Sequence, residues 1–177
     1  MEMDFELQPT LQGRLLDLRP LRTDDFEALY IAASDPMIWE HHPEHERYKR
    51  EVFKKFFDGA MKSGGGLAVI DKKAGRIIGS SRFCNLNPAR REAEIGWTFL
   101  ERDYWGGAYN GELKELMLEH AFQFVDRVLF VVGKENVRSQ QALKKIGART
   151  IGEKKVTASD GTEISCAIFQ ITRVPAP

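Results

Sequence analysis

Cysteine is nearly absent: Cys84 and Cys166 are the only two among 177 residues. A disulfide scaffold or a cysteine-rich zinc site therefore lacks its material, and both thiols sit in strand-like segments where a reduced core cysteine is the default. Net charge is also missing, with 26 basic residues against 26 acidic ones. That excludes a nucleic-acid-binding chain at the level of net charge, although a local basic patch stays open. No apolar run approaches the length of a membrane span, so no membrane partner is expected. The opening MEMDFELQ is acidic and has no apolar core, so no signal peptide is expected and a cytoplasmic setting is. No repeat or linker divides the chain, and residues 1–177 suit one domain with its own core.

Two nucleotide motifs are absent as well. A Walker A loop needs Lys-Ser/Thr after its last glycine, whereas Gly111 is followed by Glu112 and Leu113. The glycine spacing and the acid of a dinucleotide-binding GxGxxG are also missing. What is present is Tyr104–Lys114, YWGGAYNGELK, between a β-patterned run and an amphipathic helix. A strand that enters a loop nearly without side chains and then a helix leaves several backbone N–H groups unpaired, which suits a pyrophosphate. Gly106, Gly107 and Ala108 keep side chains out of the anion's path. An ordinary strand–loop–helix corner is the competing reading. Beyond the loop, Leu113, Leu116, Met117, His120, Ala121 and Phe124 form one helical stripe.

Upstream, Leu11–Leu21 reads as one strand closed by Pro20. Thr23 is placed to cap a helix with Phe26, Leu29, Tyr30 and Ala33 on its buried face, ended at Ser34-Asp35-Pro36. Ile38–His45 then holds His41, His42 and His45 beside Trp39 and Pro43. A solvated loop, a substrate contact and a metal site all stand as readings, and no metal is expected because the spacing is not that of a zincin helix. A helix follows over Arg47–Lys62 with Phe53, Phe56, Phe57 and Ala60 on one side. Ser63–Gly66 is a connection rather than a phosphate loop. Strands follow at Leu67–Ile70 and Arg76–Cys84, and Asn85–Glu92 reads as a loop.

In Glu94–Leu100, Ile95, Trp97 and Phe99 alternate with Glu94, Gly96 and Thr98, and Gly96 invites a bulge. Val128–Val132 is the unbroken apolar run of a central strand. Asn136 opens a short helix with Ser139, Ala142, Leu143 and Ile146 on one face, closed by Gly147. Thr150–Thr157 and Glu163–Thr172 form a final hairpin.

This order of elements, with YWGGAYNGELK, Asn136-Val-Arg-Ser139 and Lys145-Ile-Gly147, resembles the GNAT acyl-CoA-dependent N-acetyltransferases, nearest to the RimJ/RimL-like branch. The resemblance runs from LRPLRTDDFEALY through IGSSRF and EIGWTFL to NVRSQQALKKIGA. It implies an α+β fold with a mostly antiparallel twisted sheet, splayed middle strands and about four flanking helices. It also implies acetyl-CoA as cosubstrate and an amine acceptor, either a protein N-terminus or a small molecule. Carried over by position, main-chain groups of Phe99 and Leu100 would hold the pantetheine arm as an added strand does. Trp105, Gly106, Gly107, Ala108, Tyr109 and Asn110 would hold the pyrophosphate, and Asn136 would meet the arm near its thiol. Ala108 stands where the family more often has glycine, which is harmless only at negative φ.

Direct attack of the amine in a ternary complex needs a base and a proton for the leaving thiolate. The resemblance makes Glu94 the candidate base, with Glu92 two residues before it. The acid of many relatives is a tyrosine at the position of Leu143, so Ser139 is the remaining hydroxyl. Tyr30, Trp39 and His41 would line the acceptor side. A non-catalytic acyl-CoA-binding module on the same scaffold is the alternative, and both monomer and homodimer remain open.

Overall fold

The computed structural model describes residues 4–175. Among these, eight strands form one sheet in the order β1-β2-β3-β4-β5-β6-β8-β7. They are Leu11–Gln12 (β1), Leu16–Pro20 (β2), Gly66–Asp71 (β3), Arg76–Asn87 (β4), Glu92–Leu100 (β5), Arg127–Gly133 (β6), Arg149–Thr157 (β7) and Glu163–Thr172 (β8). The helices are Phe26–Ala33 (α1), Pro36–Trp39 (α2), Arg50–Ser63 (α3), Ala108–Ala121 (α4) and Val137–Lys145 (α5). Every neighbouring pair is antiparallel except β5–β6, as expected of a mostly antiparallel sheet.

The sheet is covered on both faces, and the two-residue period of the strands sorts the core accordingly. In β3, Leu67 and Val69 join one apolar cluster with Leu113 and Met117 of α4 and Leu143 of α5. Ala68 and Ile70 join the other, where Leu29, Trp39, Phe53, Phe56 and Phe57 come from α1, α2 and α3. The aromatic stripe of α3 at i, i+3, i+4 is thus core, as its periodicity indicated.

Four local readings need correction. Leu11–Leu21 is not one strand but two, β1 and β2, turned at Gly13. There the Glu112 carboxylate of α4 accepts the backbone N–H groups of Arg14, Leu15 and Leu16 at 3.0, 2.8 and 2.9 Å. A Cβ on Gly13 would stand 2.6 Å from Glu112 Oε2, so only glycine admits that carboxylate. Thr23 is not the helix cap. The acid that fixes the turn before α1 is Asp25, which reaches back to accept the Arg22 N–H at 2.8 Å while Arg19 grips it with two bonds of 2.8 Å. The stretch after Pro36 is a short helix whose N-terminus is capped by Asp35 through the Met37 N–H, so its first residues are not a solvated loop. Finally, β4 runs on to Asn87 and β5 starts at Glu92, leaving a turn of only Pro88–Arg91 where a longer loop was read.

The feature that positions the site is the middle of the sheet. Strands β5 and β6 pair only through Glu92–Glu94 with Arg127–Leu129, after which the two strands have no shared register. This is the splay that the resemblance implied. A bulge sits in the same place: Arg82 opposes Gly96 and Ser80 opposes Phe99, so three steps on β5 answer two on β4. Trp97 takes φ +57 there. The bulge breaks the alternation expected over Glu94–Leu100. Ile95 remains with the α4 cluster, while Phe99 turns to the α3 cluster and packs 5.1 Å from Trp39. One extra residue inverts the face of all that follow it.

Candidate active site

The splay opens a cleft of about 380 Å³. Its walls come from β5 at and just before its bulge (Glu94, Gly96, Trp97, Thr98) and the unpaired end of β6 (Phe130–Gly133). Asn110 and Lys114 of α4, Asn136 and the Ser139–Leu143 face of α5, and the connection His42–Arg47 complete them, together with Lys154 and Val156 of β7. The size suits an extended ligand arm.

At one end stands the N-terminus of α4. Gly107 is its N-cap, no side chain caps it, and a Cβ on Gly106 or Gly107 would meet nothing within 4 Å. The first-turn N–H groups therefore face open space with the positive end of the helix dipole behind them. Gly106 has φ +70, a conformation that favours glycine. Ala108 is the first helical residue and lies outside the left-handed region, so its replacement of glycine is unstrained. Asn110 is one turn in and lines the cleft.

Trp105 turns inward, its indole N–H donating to the Leu100 carbonyl at 2.9 Å with the Arg138 guanidinium 3.3 Å over its ring. No ion pair holds Arg138 among the described residues, and burial pulls its pKa down. The Tyr109 hydroxyl is committed elsewhere. With the Tyr104 hydroxyl it donates to Asp71, at 3.1 and 2.9 Å. Burial raises the Asp71 pKa, but those bonds and two backbone N–H groups outweigh it and hold the carboxylate below its usual range. Phe99 and Leu100 pair with Ser80 and Gly79 on the β4 side, and their β6 side has no strand partner.

In the middle of the cleft, Glu94 accepts a hydrogen bond from Asn85 Nδ2 at 2.7 Å. Glu92 is apart from it: it is buried beside Arg90 and Arg127 where β5 and β6 still pair, and it does not line the cleft. Asn136 caps α5 by accepting the Ser139 N–H at 3.3 Å. Ser139 and Leu143 both face the cleft. Cys84 opposes Glu94 across the sheet, and burial pushes its thiol up to about 12, which keeps it protonated.

Lys114 was not singled out in the sequence. It is 6% exposed, its ammonium donates to Thr98 Oγ1 at 2.8 Å, and Thr98 Oγ1 lies 2.8 Å from Ser81 Oγ. No carboxylate pairs with it among the described residues, and burial alone brings its pKa down to about 7. The sequence held one hint: Lys114 lies four residues after Asn110 and three before Met117, on the inward side of α4.

Of the expected acceptor-side residues, the structure brings none to the main cleft. Trp39 is 2% exposed, its indole donating to the Ala33 carbonyl at 2.8 Å. Tyr30 donates its hydroxyl to the Tyr48 carbonyl at 3.1 Å, and its ring packs 5.6 Å from Phe53. His41 is on the surface, 3.7 Å from Glu40, and borders a separate hollow. His42 and Arg47 line the main cleft instead. Among the described residues no cluster of metal-ligating side chains forms.

Residues 15–149 match the model of the acetyltransferase (GNAT) domain family. No curated protein matches the chain. Solved structures with the same fold include a GCN5-related N-acetyltransferase from Brucella melitensis, at 23% identity and a TM-score of 0.82 over 93% of this chain and 79% of that one. Mycobacterium smegmatis RimJ, solved in complex with CoA-disulfide, is similar at 20% identity and a TM-score of 0.68, covering 93% and 86%. The ribosomal-protein-S5-alanine acetyltransferase of Vibrio fischeri is similar at 16% identity and a TM-score of 0.68, covering 93% and 96%.

Proposed function

Since the chain belongs to the GNAT acetyltransferase family, we propose that it transfers the acetyl group of acetyl-CoA to a primary amine by direct attack in a ternary complex. The observation that carries this reading is the uncapped, glycine-flanked N-terminus of α4 opening beside the gap between β5 and β6. An anion at the helix end and an extended arm in the gap fit that pair of features.

Gly106, Gly107, Ala108 and Asn110 would meet the pyrophosphate, and the stacked pair Trp105–Arg138 would border it. The open edge of Phe99 and Leu100 would receive the arm, and Asn136 would meet it near the thiol. Bound acetyl-CoA supplies an activated acyl group and a thiolate leaving group. The chain's own task is to hold the amine neutral and aligned and to move protons. Glu94, the β5 carboxylate that faces the cleft, takes the proton of the attacking amine. Because Leu143 supplies no phenol, the Ser139 hydroxyl, which also lines the cleft, would deliver a proton to the thiolate.

The test is calorimetric titration with acetyl-CoA of the wild type and of Gly107→Glu, whose carboxylate would enter open space at the helix end. Binding by the wild type that falls at least tenfold in the folded variant supports the site. A folded wild type that does not bind acetyl-CoA would sink the reading.

A further inference from the structure

In the wall of the cleft, Arg47 is 6% exposed, and its guanidinium lies over three aromatic rings: Phe56 at 4.9 Å, Trp97 at 5.1 Å and Trp39 at 5.4 Å. It forms no ion pair among the described residues. Its one polar neighbour within hydrogen-bond distance is His42 Nε2, 3.3 Å from Nη1. That contact does not satisfy it. His42 Nδ1 accepts the Glu44 N–H at 3.0 Å, and desolvation together with the Arg47 charge pushes its pKa down to about 3, so the ring is neutral. A neutral imidazole that accepts at Nδ1 carries its hydrogen on Nε2, which sets N–H against N–H.

A second guanidinium, Arg82 of β4, is also 6% exposed and lies 4.4 Å over Trp97. Its Nε is buried without a partner. The carboxylate whose charge acts on Arg47 is Glu44, whose oxygens already accept from the Ser159 N–H and hydroxyl at 2.6 and 2.7 Å. Two buried guanidinium groups thus share an aromatic cage without an anion between them. Of the two, Arg47 lines the cleft, with Lys114 and Lys154 as its other basic residues and Glu44 and Glu94 as its carboxylates. Buried charge left uncompensated is costly, and a guanidinium fork matches a carboxylate with two parallel bonds.

We propose that the acetyl acceptor is an amine that also carries a carboxylate, as an α-amino acid does, and that Arg47 binds this carboxylate while the amine faces the acetyl-transfer end of the cleft. The inference rests on the transferase reading. It separates a free amino acid from a protein N-terminus, whose first residue presents an amide where the amino acid presents its carboxylate.

The experiment compares kcat/KM for a panel of amino acids with that for their carboxamides, at saturating acetyl-CoA, in the wild type and in Arg47→Gln and Arg47→Lys. Losing the carboxylate lowers the amine's pKa and supplies more neutral amine, so chemistry alone favours the carboxamide. A preference of about tenfold to a hundredfold for the acid, set mainly in KM, is expected from a charge-assisted pair. Both variants should lose it while binding acetyl-CoA within about twofold of the wild type. Equal or better use of carboxamides by the wild type overturns the proposal, as does a preference that survives Arg47→Gln. Should neither set react, ligand-observed NMR of N-acetylglycine and N-acetylglycinamide with the CoA-saturated wild type decides, and equal or absent binding overturns the proposal. Failure to bind acetyl-CoA in calorimetry would instead remove the transferase reading beneath it.

Discussion

Lys114 offers a test that needs no substrate. Its amine is buried, bonded to one hydroxyl and held near pKa 7, against 10.5 for the free side chain. The folded-state pKa is lowered, so between these values the unfolded chain binds the extra proton and stability rises with pH. Each pH unit in that window is worth about 1.4 kcal/mol, less near pH 7 where the folded amine is still half protonated. From pH 7 to pH 9 the wild type should therefore gain roughly 2 kcal/mol from this group, while Lys114→Met, of similar length and uncharged, gains nothing from it. Other titrations cancel in the difference between the two proteins. Urea unfolding of both at pH 6, 7, 8 and 9 measures that difference directly. The variant should be the more stable at pH 6, and its advantage should shrink steadily towards pH 9. A difference that stays flat across the series would refute the reasoning, because it would mean that the folded amine keeps its ordinary pKa.

Glu94→Gln should lower kcat by about a hundredfold or more at every pH tested, the mark of a lost general base; an unchanged kcat would remove Glu94 from that role. Gly13→Ala should destabilise the fold by about 1–3 kcal/mol, measured by chemical unfolding, because its Cβ would meet Glu112 Oε2 at 2.6 Å and the Leu16 carbonyl at 2.7 Å. Burial raises the Glu112 pKa, but the N–H groups of Leu15, Leu16 and Arg14 outweigh it and lower it overall. The stability this gives is present above the unfolded carboxylate's pKa and lost as pH falls through the folded value. Glu112→Gln should accordingly show a smaller loss of stability on acidification than the wild type, read from unfolding midpoints between pH 7 and pH 3.

Much of the scaffold was legible because its signals are local. The stripe of α4, the aromatic face of α3, the Asn136 start of α5 and the final hairpin follow from short periodicities and turn residues, and they lie where the pattern put them. Gly96 marked the bulge to within one residue. The side that each residue after it faces was not legible, since Trp97 at φ +57 shifts the phase by one. Among the proposed site residues, Glu94, Asn110, Asn136 and Ser139 share the cleft, while Tyr30 and Trp39 are engaged in packing. An aromatic residue near a candidate pocket reads the same whether it fills the core or faces a ligand.

Helix and strand periods and the order of motifs carried, by themselves, the resemblance to the family and the glycine-flanked start of α4, because each signal depends on residues close together in the chain. Only the tertiary structure decided what the corner opens onto. Glu94, Lys114, Asn136 and Arg47 come from four different elements, and their meeting depends on where β5 and β6 part. Whether Lys114 and Arg47 are ordinary surface cations or buried unpaired ones is likewise absent from the sequence. A side chain's charge is a property of the residue, but the cost of that charge depends on what surrounds it, and only the folded chain supplies that.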